Sequence, residues 1–388
     1  MTTSSISFLF IKSDNGKPLY FANLCKGIIV VNEENFDKVE GFKSFKSTHP
    51  LPSSKGIDCA KYIINYLKKT TKSDLVLLML SGGGSALLPF PVKSVSLRDK
   101  IKVNKLLLES GANIDEINAV RKHLSKIKGG NFVKYCNPSK VHSLILSDVV
   151  GDNLSSISSG LTVADPTTFS DVQNILQKYR IWESMPENVK NYILLGKKNK
   201  YLETPKKNNP ILKLSKQTII GSNTKSVEAI KAYCDRKNID AKIWKKNLTG
   251  DVKKVSEKFA KYISKNTNKK KPYVLLAGGE TTVKLNGDGK GGRNQELSIH
   301  FSIFAKKLFP NINYTFLSAG TDGRDGPTDA AGGIVDNKIF KKFLKYGINI
   351  NKEILNNNSY PVLKKTNSLI ILDGTNTNVA DLQIVAIW

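Results

Sequence analysis

The sequence predicts an α/β protein, because short apolar runs alternate with helical patterns along most of its 388 residues. Several of the apolar runs are continuous, as in Leu75–Leu80, and such runs are typical of parallel strands that are covered on both faces. Hydrophobic residues make up 40% of the chain. A chain of this length and composition has enough apolar material for two or three domains.

The predicted strands share a short apolar centre between polar flanks. In chain order they are Ile6–Ile11, Gly27–Val31, Leu75–Leu80, Ser143–Leu146, Thr218–Ile220, Tyr273–Ala277, Thr315–Ser318, Leu369–Leu372 and Leu382–Ile387. Two stripes with helical spacing predict helices between strands, namely Ile57, Ala60, Ile64, Leu67 and Val252, Val255, Phe259, Ile263. Thr249 or Asp251 is a candidate N-cap for the second helix.

A polar segment interrupts this order. Residues Glu183–Lys216 are rich in lysine and asparagine and contain three prolines, as is typical of a connection. We therefore expect two domains, 1–215 and 216–388.

The chain is strongly basic, with a formal net charge of +27 and only six arginines among its 60 basic residues. Such a charge fits either a phosphate-rich partner or lysines spread over solvated faces. The lysines are scattered, and the scarcity of arginine disfavours base or phosphate recognition along a nucleic acid. We expect no nucleic-acid partner, and a basic nucleic-acid-binding protein is kept as an alternative.

Targeting and membrane signals are absent from the sequence pattern. No secretory leader precedes Ile6–Ile11, and the apolar runs are too short to span a bilayer. The four cysteines show no C-x-x-C spacing. We expect a cytoplasmic protein with no membrane partner.

Glycines cluster directly after predicted strands, beside serine, threonine and aspartate. The first cluster, Ser81, Gly82, Gly83, Gly84 and Ser85 (the Ser81–Ser85 loop), follows the strand Leu75–Leu80. Its backbone N–H groups and hydroxyls could hold phosphates, or the glycines could only permit a tight crossover. The loop is neither a Walker A motif nor GxGxxG.

Two further segments carry charged candidates. Gly291 and Gly292 precede Arg293 at the start of a predicted helix. The planar guanidinium of Arg293 could bind a carboxylate or a transferring phosphoryl group, or it could form a salt bridge between domains. Asp148 and Asp322 lie in loops after strands, where carboxylates suit Mg2+ or hold turns.

Taken together, these segments resemble the glycerate 2-kinase family, the class II glycerate kinases with a C-terminal MOFRL domain. The matching segments run in order along nearly the whole chain. They include Thr48–Pro52, Leu80–Leu87, Ile117–Ser125, Ser147–Asp152, Gly278–Val283, Gly291–Leu297 and Thr321–Gly332.

The resemblance implies a Rossmann-like parallel sheet in the N-terminal domain, a mixed-sheet C-terminal domain and an active site in the cleft between them. It implies ATP- and Mg2+-dependent phosphorylation of D-glycerate to 2-phosphoglycerate, and it allows a homodimer. The family's catalytic lysine and arginine match Lys17 and Arg293 of this chain.

The remaining expected contacts are divided by ligand. We assign the Ser81–Ser85 loop to the ATP phosphates. Substrate contacts are assigned to Arg121, Asn294, Glu296 and Arg324, and Mg2+ to Asp148 and Asp322. A second enzyme hypothesis is a hydroxypyruvate reductase, although the expected GxGxxG fingerprint with an acidic residue about twenty positions further on is not seen.

Overall fold

A computed structural model describes residues 5–11, 25–266 and 272–388 of the chain. Contacts divide the chain into two compact units. The N-terminal unit contains Thr3–Leu146 and Asp152–Ile220, and the C-terminal unit contains Ser147–Gly151 and Gly221–Trp388. No helix among the described residues is both long and apolar enough to cross a membrane.

The N-terminal unit is built on a six-stranded sheet. Its strands are β1 (Ser5–Ile11), β2 (Cys25–Asn32), β3 (Phe42–Ser47), β4 (Leu75–Leu80), β5 (Lys140–Leu146) and β6 (Ser215–Gly221), in the spatial order β3-β2-β1-β4-β5-β6. The pairs β2–β3 and β4–β5 are parallel. Strand β1 runs antiparallel to both of its neighbours.

Helices connect these strands, and four of them pack together around an apolar cluster. They are α1 (Ser54–Leu67), α2 (Gly84–Leu87), α3 (Leu97–Glu109), α4 (Ile114–His123), α5 (Asn131–Cys136), α6 (Phe169–Lys178) and α7 (Glu187–Lys198). Capping boxes begin α3, α4 and α6 at Ser96, Asn113 and Thr168, because each side chain satisfies an orphan N–H of the first turn. The same helices and α7 bury one common cluster.

The C-terminal unit contains a mixed six-stranded sheet. Its strands are β7 (Ala241–Asp251), β8 (Tyr273–Thr282), β9 (Tyr314–Gly320), β10 (Ala330–Asp336), β11 (Leu369–Ile371) and β12 (Asp381–Ile387), in the order β11-β10-β9-β12-β8-β7. Only β7 and β8 are paired in parallel among these described strands. Strand β12 lies in the centre, between β8 and β9.

Six helices cover this sheet in the described part of the unit. They are α8 (Asn223–Arg236), α9 (Val252–Ser264), α10 (Arg293–Leu308), α11 (Ile339–Lys345), α12 (Ile350–Leu355) and α13 (Ser359–Lys365). The core is aromatic, with the rings of Phe301 and Phe316 stacked 4.0 Å apart. Asp251 caps α9 by accepting hydrogen bonds from the N–H groups of Lys253 and Lys254, which confirms one of the two predicted caps.

The α/β class is confirmed, and every predicted strand has a counterpart in the sheets. Three strands were not predicted. β3 and β7 lie at sheet edges and carry alternating or scattered lysines instead of an apolar run. β10 contains Gly332, where a Cβ atom would lie 1.9 Å from the carbonyl oxygen of Ser318, so close strand packing requires a residue that sequence patterns associate with loops.

Candidate functional site

The first candidate site is built at the start of α10. Gly292 is the N-cap residue and offers no side chain to the first turn. The carboxylate of Asp325 takes that role, accepting hydrogen bonds from the backbone N–H of Asn294 at 3.1 Å and of Gln295 at 2.9 Å. A Cβ atom at Gly292 would lie 2.3 Å from the Asp325 carboxyl carbon. Glycine at 292 therefore allows the loop to cap the helix that begins at Arg293.

Arg293 is held by two carboxylates on neighbouring strands. Its Nε donates to Oδ2 of Asp381 at 2.6 Å and its Nη2 to Oδ1 at 3.0 Å, a two-point contact with the first residue of β12. Its Nη1 lies 2.8 Å from Oε1 of Glu280 on β8. About a third of the side chain stays exposed. The guanidinium is thus fixed in orientation but remains open to a ligand.

The charges around Arg293 are predominantly negative. Burial alone would lower the pKa of Arg293, but the contacts with Asp381 and Glu280 outweigh burial and raise it. Burial raises the pKa of Asp381, and the arginine opposes that rise. Burial also raises the pKa of Glu280, with further contributions from the negative charges of Asp381, Asp148 and Asp322. Arg293 opposes the rise at Glu280. The arginine therefore keeps its proton, and the carboxyl group of Glu280 holds a proton more readily than an ordinary glutamate does.

A cavity of about 720 Å3 opens beside Arg293 within the C-terminal unit. This volume falls in the range of about 300–1,000 Å3 that ligand pockets occupy. Its walls combine apolar and hydrogen-bonding groups, among them Val150, Thr249, Glu280, Thr282, Leu285, Arg293 and Glu296. Glu296 accepts a hydrogen bond from Nδ2 of Asn357 at 3.1 Å. The cavity has the size and the mixed lining suited to a nucleotide or a sugar-acid derivative.

A second, smaller cavity of about 200 Å3 lies within the N-terminal unit. Gly83 and Ser85 of the Ser81–Ser85 loop line it, together with Lys100, Arg121 and Lys128. The ammonium of Lys128 donates to Oγ of Ser85 at 2.9 Å. The structure thus brings the predicted phosphate loop and the predicted substrate arginine to one cavity.

The other predicted site residues occupy varied environments. Lys17 lies outside the described residues. Asn294 is fully buried, and its Oδ1 accepts from Oγ of Ser318 at 2.5 Å, so its side chain supports the loop and strand around Arg293. Arg324 is exposed, and its backbone N–H donates to Oδ1 of Asp322 at 3.0 Å. The predicted ligand contacts of these residues stay predictions.

Four residues in or beside the two cavities have no role in the sequence analysis. Glu280 lies inside the matching segment Gly278–Val283, and Asp381 follows the matching residues Thr377, Asn378 and Val379, but neither is predicted to act in the site. Lys100 and Lys128 were not noted as candidates. A signal for Lys100 was present, because it shares the buried face of α3 with Val103 and Leu107, and a lysine on an apolar stripe is unusual.

The carboxylates near Arg293 are candidate ligands for Mg2+. No group of three or more metal-ligating side chains exists in the described part of the chain. Asp148 and Asp322 both act electrostatically on Glu280, so each carboxylate lies within electrostatic range of the cavity wall. Mg2+ in phosphoryl-transfer sites is usually held by one or two carboxylates together with substrate phosphates and water. The residues therefore fit Mg2+ bound jointly with a phosphorylated ligand.

Comparisons with known proteins agree with this description. Residues 16–194 match the model of a domain of unknown function, DUF4147, and residues 273–381 match the model of the MOFRL family. The glycerate 2-kinase of Pyrococcus horikoshii is 39% identical over 93% of this chain and 81% of its own length. The D-glycerate 2-kinase of Thermotoga maritima is 38% identical over 92% of this chain and 84% of its own length.

Solved structures give the same result. A crystal structure of the glycerate kinase from Thermotoga maritima superposes with a TM-score of 0.84 at 38% identity, covering 93% of this chain and 84% of that chain. One more distant relative, from Agrobacterium vitis, is named a putative hydroxypyruvate reductase and is 33% identical over 93% of this chain and 92% of its own length. From the two family models and the relatives that match along almost its whole length, the chain belongs to the glycerate kinase family with a MOFRL domain.

Proposed function

We propose that this chain is a glycerate 2-kinase that uses ATP and Mg2+ to convert D-glycerate into 2-phosphoglycerate and ADP. The observation that carries the proposal is the match along 93% of the chain to a relative named glycerate 2-kinase. The environment of Arg293 supports it, because phosphoryl transfer depends mainly on positioning and on positive charge around the transferring group.

Arg293 supplies that charge in the C-terminal unit. Asp381 binds two of its nitrogens, which fixes the plane of the guanidinium before a ligand arrives. A cation held in place in this way stabilises negative charge without reorganising during the reaction. Arg293 therefore binds the transferring phosphoryl group or the glycerate carboxylate at the wall of the 720 Å3 cavity.

Glu280 is the group in that cavity best suited to take the hydroxyl proton. Its pKa is raised by burial, which brings its basicity closer to neutral pH. In the proposed step the 2-hydroxyl oxygen of glycerate forms a bond to the γ-phosphorus of ATP. The bond from that phosphorus to the ADP oxygen breaks, the electron pair leaves with ADP, and the hydroxyl proton passes to Glu280.

Asp148 and Asp322 would hold Mg2+ together with the phosphates. The ion supplies neutralisation of phosphate charge when it is bound. Lys17, if it reaches the same ligand, adds a second positive charge. A homodimer remains a prediction that measurement of the mass in solution would test.

An enzyme-coupled assay tests the function. Purified protein is incubated with MgATP and D-glycerate, with enolase present and phosphoglycerate mutase absent. Formation of phosphoenolpyruvate is expected, because enolase acts on 2-phosphoglycerate. Formation of ADP without phosphoenolpyruvate would assign the phosphate to the 3-hydroxyl, and no ADP formation would refute the kinase function.

The name of the Agrobacterium vitis relative favours a second candidate, a hydroxypyruvate reductase. That reaction needs a hydride donor such as NADH. The stretch Gly287–Gly292 has the GxGxxG spacing, but no acidic residue follows about twenty positions further on, where a dinucleotide site needs one. Oxidation of NADH in the presence of hydroxypyruvate is therefore expected not to occur. Oxidation at a rate comparable to kinase turnover would favour the reductase.

A further inference from the structure

The small cavity of the N-terminal unit concentrates positive charge. Lys100 and Lys128 are only 4% and 1% exposed, and Arg121 is partly buried beside them. Burial lowers the pKa of all three groups. The charges of Lys100 and Arg121 lower the pKa of Lys128 further, so the three cations act on one another across the same space.

The cations are not balanced by acidic side chains. Within the described ranges, no carboxylate forms an ion pair with Lys100, Arg121 or Lys128, and the Nζ atom of Lys100 has no hydrogen-bond partner. Arg121 donates from Nε to Oδ1 of Asn104 at 3.0 Å, which orients the guanidinium but leaves its charge uncompensated. Buried cations in folded proteins are normally paired, because an isolated buried charge is unfavourable.

Another lysine of the same unit provides the contrast. Lys122 follows Arg121 in sequence and is 4% exposed, as Lys100 is. Its Nζ atom lies 3.2 Å from Oδ1 of Asp165 and donates to Oγ of Ser155 at 2.6 Å. The fold therefore pairs a buried lysine with an acid where the lysine has a structural role. At the small cavity no acid of the described residues plays this part, so a bound anion is the counter-charge that would keep Lys100 and Lys128 protonated.

We infer that Lys100, Arg121 and Lys128 form a binding site for a phosphate group. A phosphate dianion offers two charges and several acceptor oxygens in a tetrahedral arrangement. Two ammonium groups, one guanidinium and the hydroxyl of Ser85 can each meet a different oxygen. A carboxylate carries one charge and would leave most of the positive charge unbalanced.

The size of the cavity limits the ligand. Its volume of about 200 Å3 is below the range of about 300–1,000 Å3 occupied by pockets that enclose a whole drug-sized ligand. The site therefore takes a phosphate group and not a complete nucleotide. The inference rests on the proposed function only for the source of the phosphate, which is either the nucleotide or the phosphorylated glycerate.

Calorimetric titration with inorganic phosphate tests the site in the full-length chain without turnover. Phosphate is expected to bind the wild type, and Lys100→Met and Lys128→Met are each expected to weaken binding about tenfold or more, as loss of a charged hydrogen bond does. Lys102→Met is the matched control, because Lys102 is exposed on the same helix, and it should bind as the wild type does. Circular dichroism verifies folding, and Lys128→Met carries the test if Lys100→Met does not fold.

Competition then identifies the source. Displacement of ADP by phosphate supports the inference and identifies the nucleotide as the source of the phosphate group. Displacement of 2-phosphoglycerate by phosphate supports it and identifies the phosphorylated glycerate as the source. Absence of phosphate binding, equal binding by the lysine variants, or displacement of phosphate by D-glycerate alone would overturn it. Kinase activity without phosphate binding would contradict this inference alone, whereas phosphate binding without ADP formation would contradict the proposed function alone.

Discussion

Replacing Lys100 with methionine is expected to stabilise the ligand-free N-terminal unit. Methionine has a similar length and no charge, so it can fill the position on the buried face of α3 beside Val103 and Leu107. The ammonium that it replaces is buried with no hydrogen-bond acceptor among the described residues. The substitution therefore removes an unfavourable charge and should also remove phosphate binding, so that stability and function change in opposite directions.

The expected size follows from the pKa of Lys100, which burial lowers from 10.5 to about 8. This difference corresponds to about 3 kcal/mol of unfolding free energy at pH 7. Below pH 8 the folded and unfolded states both hold the proton, so the full penalty applies. Between pH 8 and 10.5 the folded state loses the proton while the unfolded state keeps it, and the wild type gains stability as pH rises. The advantage of methionine should therefore shrink towards about pH 10.

Urea unfolding in phosphate-free buffer measures this effect. Trp182 lies in the N-terminal unit, and Trp244 and Trp388 lie in the C-terminal unit. In a background that carries Trp244→Phe and Trp388→Phe, tryptophan fluorescence therefore reports on unfolding of the N-terminal unit. Lys102→Met is the control and should change stability little at either pH. If Lys100→Met is less stable than the wild type at pH 7, or if its advantage does not vary with pH, the reasoning about the buried charge is wrong.

Three further predictions concern the two cavities. Arg293→Met should lower kcat by orders of magnitude and destabilise the protein by about 3–5 kcal/mol, because it leaves Asp381 buried without its partner; adding Asp381→Asn should recover stability in urea unfolding but not kcat. Glu280→Gln should lower kcat and remove the acid limb of its pH profile, because the wild-type carboxylate must lose its proton to act as a base; an unchanged limb would exclude that role. The affinity for inorganic phosphate should fall as pH rises above about 8, since Lys100 then loses its charge while the phosphate stays a dianion. Arg121, Lys128 and His49 face the same cavity. A constant affinity up to about pH 10, measured by calorimetry, would contradict the assignment of Lys100 to the phosphate site.

Arg293 could be predicted from sequence because its signal is local. Two glycines, an arginine and an asparagine stand at the beginning of a helical pattern, and the structure begins α10 at Arg293. Its partner Asp381 is 88 residues away and meets it only because β12 pairs with β8 in one register. Helix and strand propensities and hydrophobic periodicity describe residues that are close in sequence, so they cannot predict the contact between Arg293 and Asp381.

Lys100 shows a different limit. The spacing of Lys100, Val103 and Leu107 places them on one face of α3, but lysines on a basic chain are normally assigned to solvent. Only the position of α3 beside α4 and the Ser81–Ser85 loop places this ammonium against Arg121 and Lys128. A charge on the apolar side of a helix is thus a pattern that sequence analysis can flag, although its ligand becomes evident only from the neighbours.

The central position of β12 bears on how the protein is made. Residues 381–387 fill the gap between β8 and β9, two strands that emerge from the ribosome well before them. Until β12 is synthesised, the edges of β8 and β9 that will pair with it stay unpaired. During the same period Arg293 lacks Asp381, the carboxylate that orients its guanidinium. The nascent C-terminal unit thus exposes strand edges until this segment arrives, which is the period when a chaperone would protect it best.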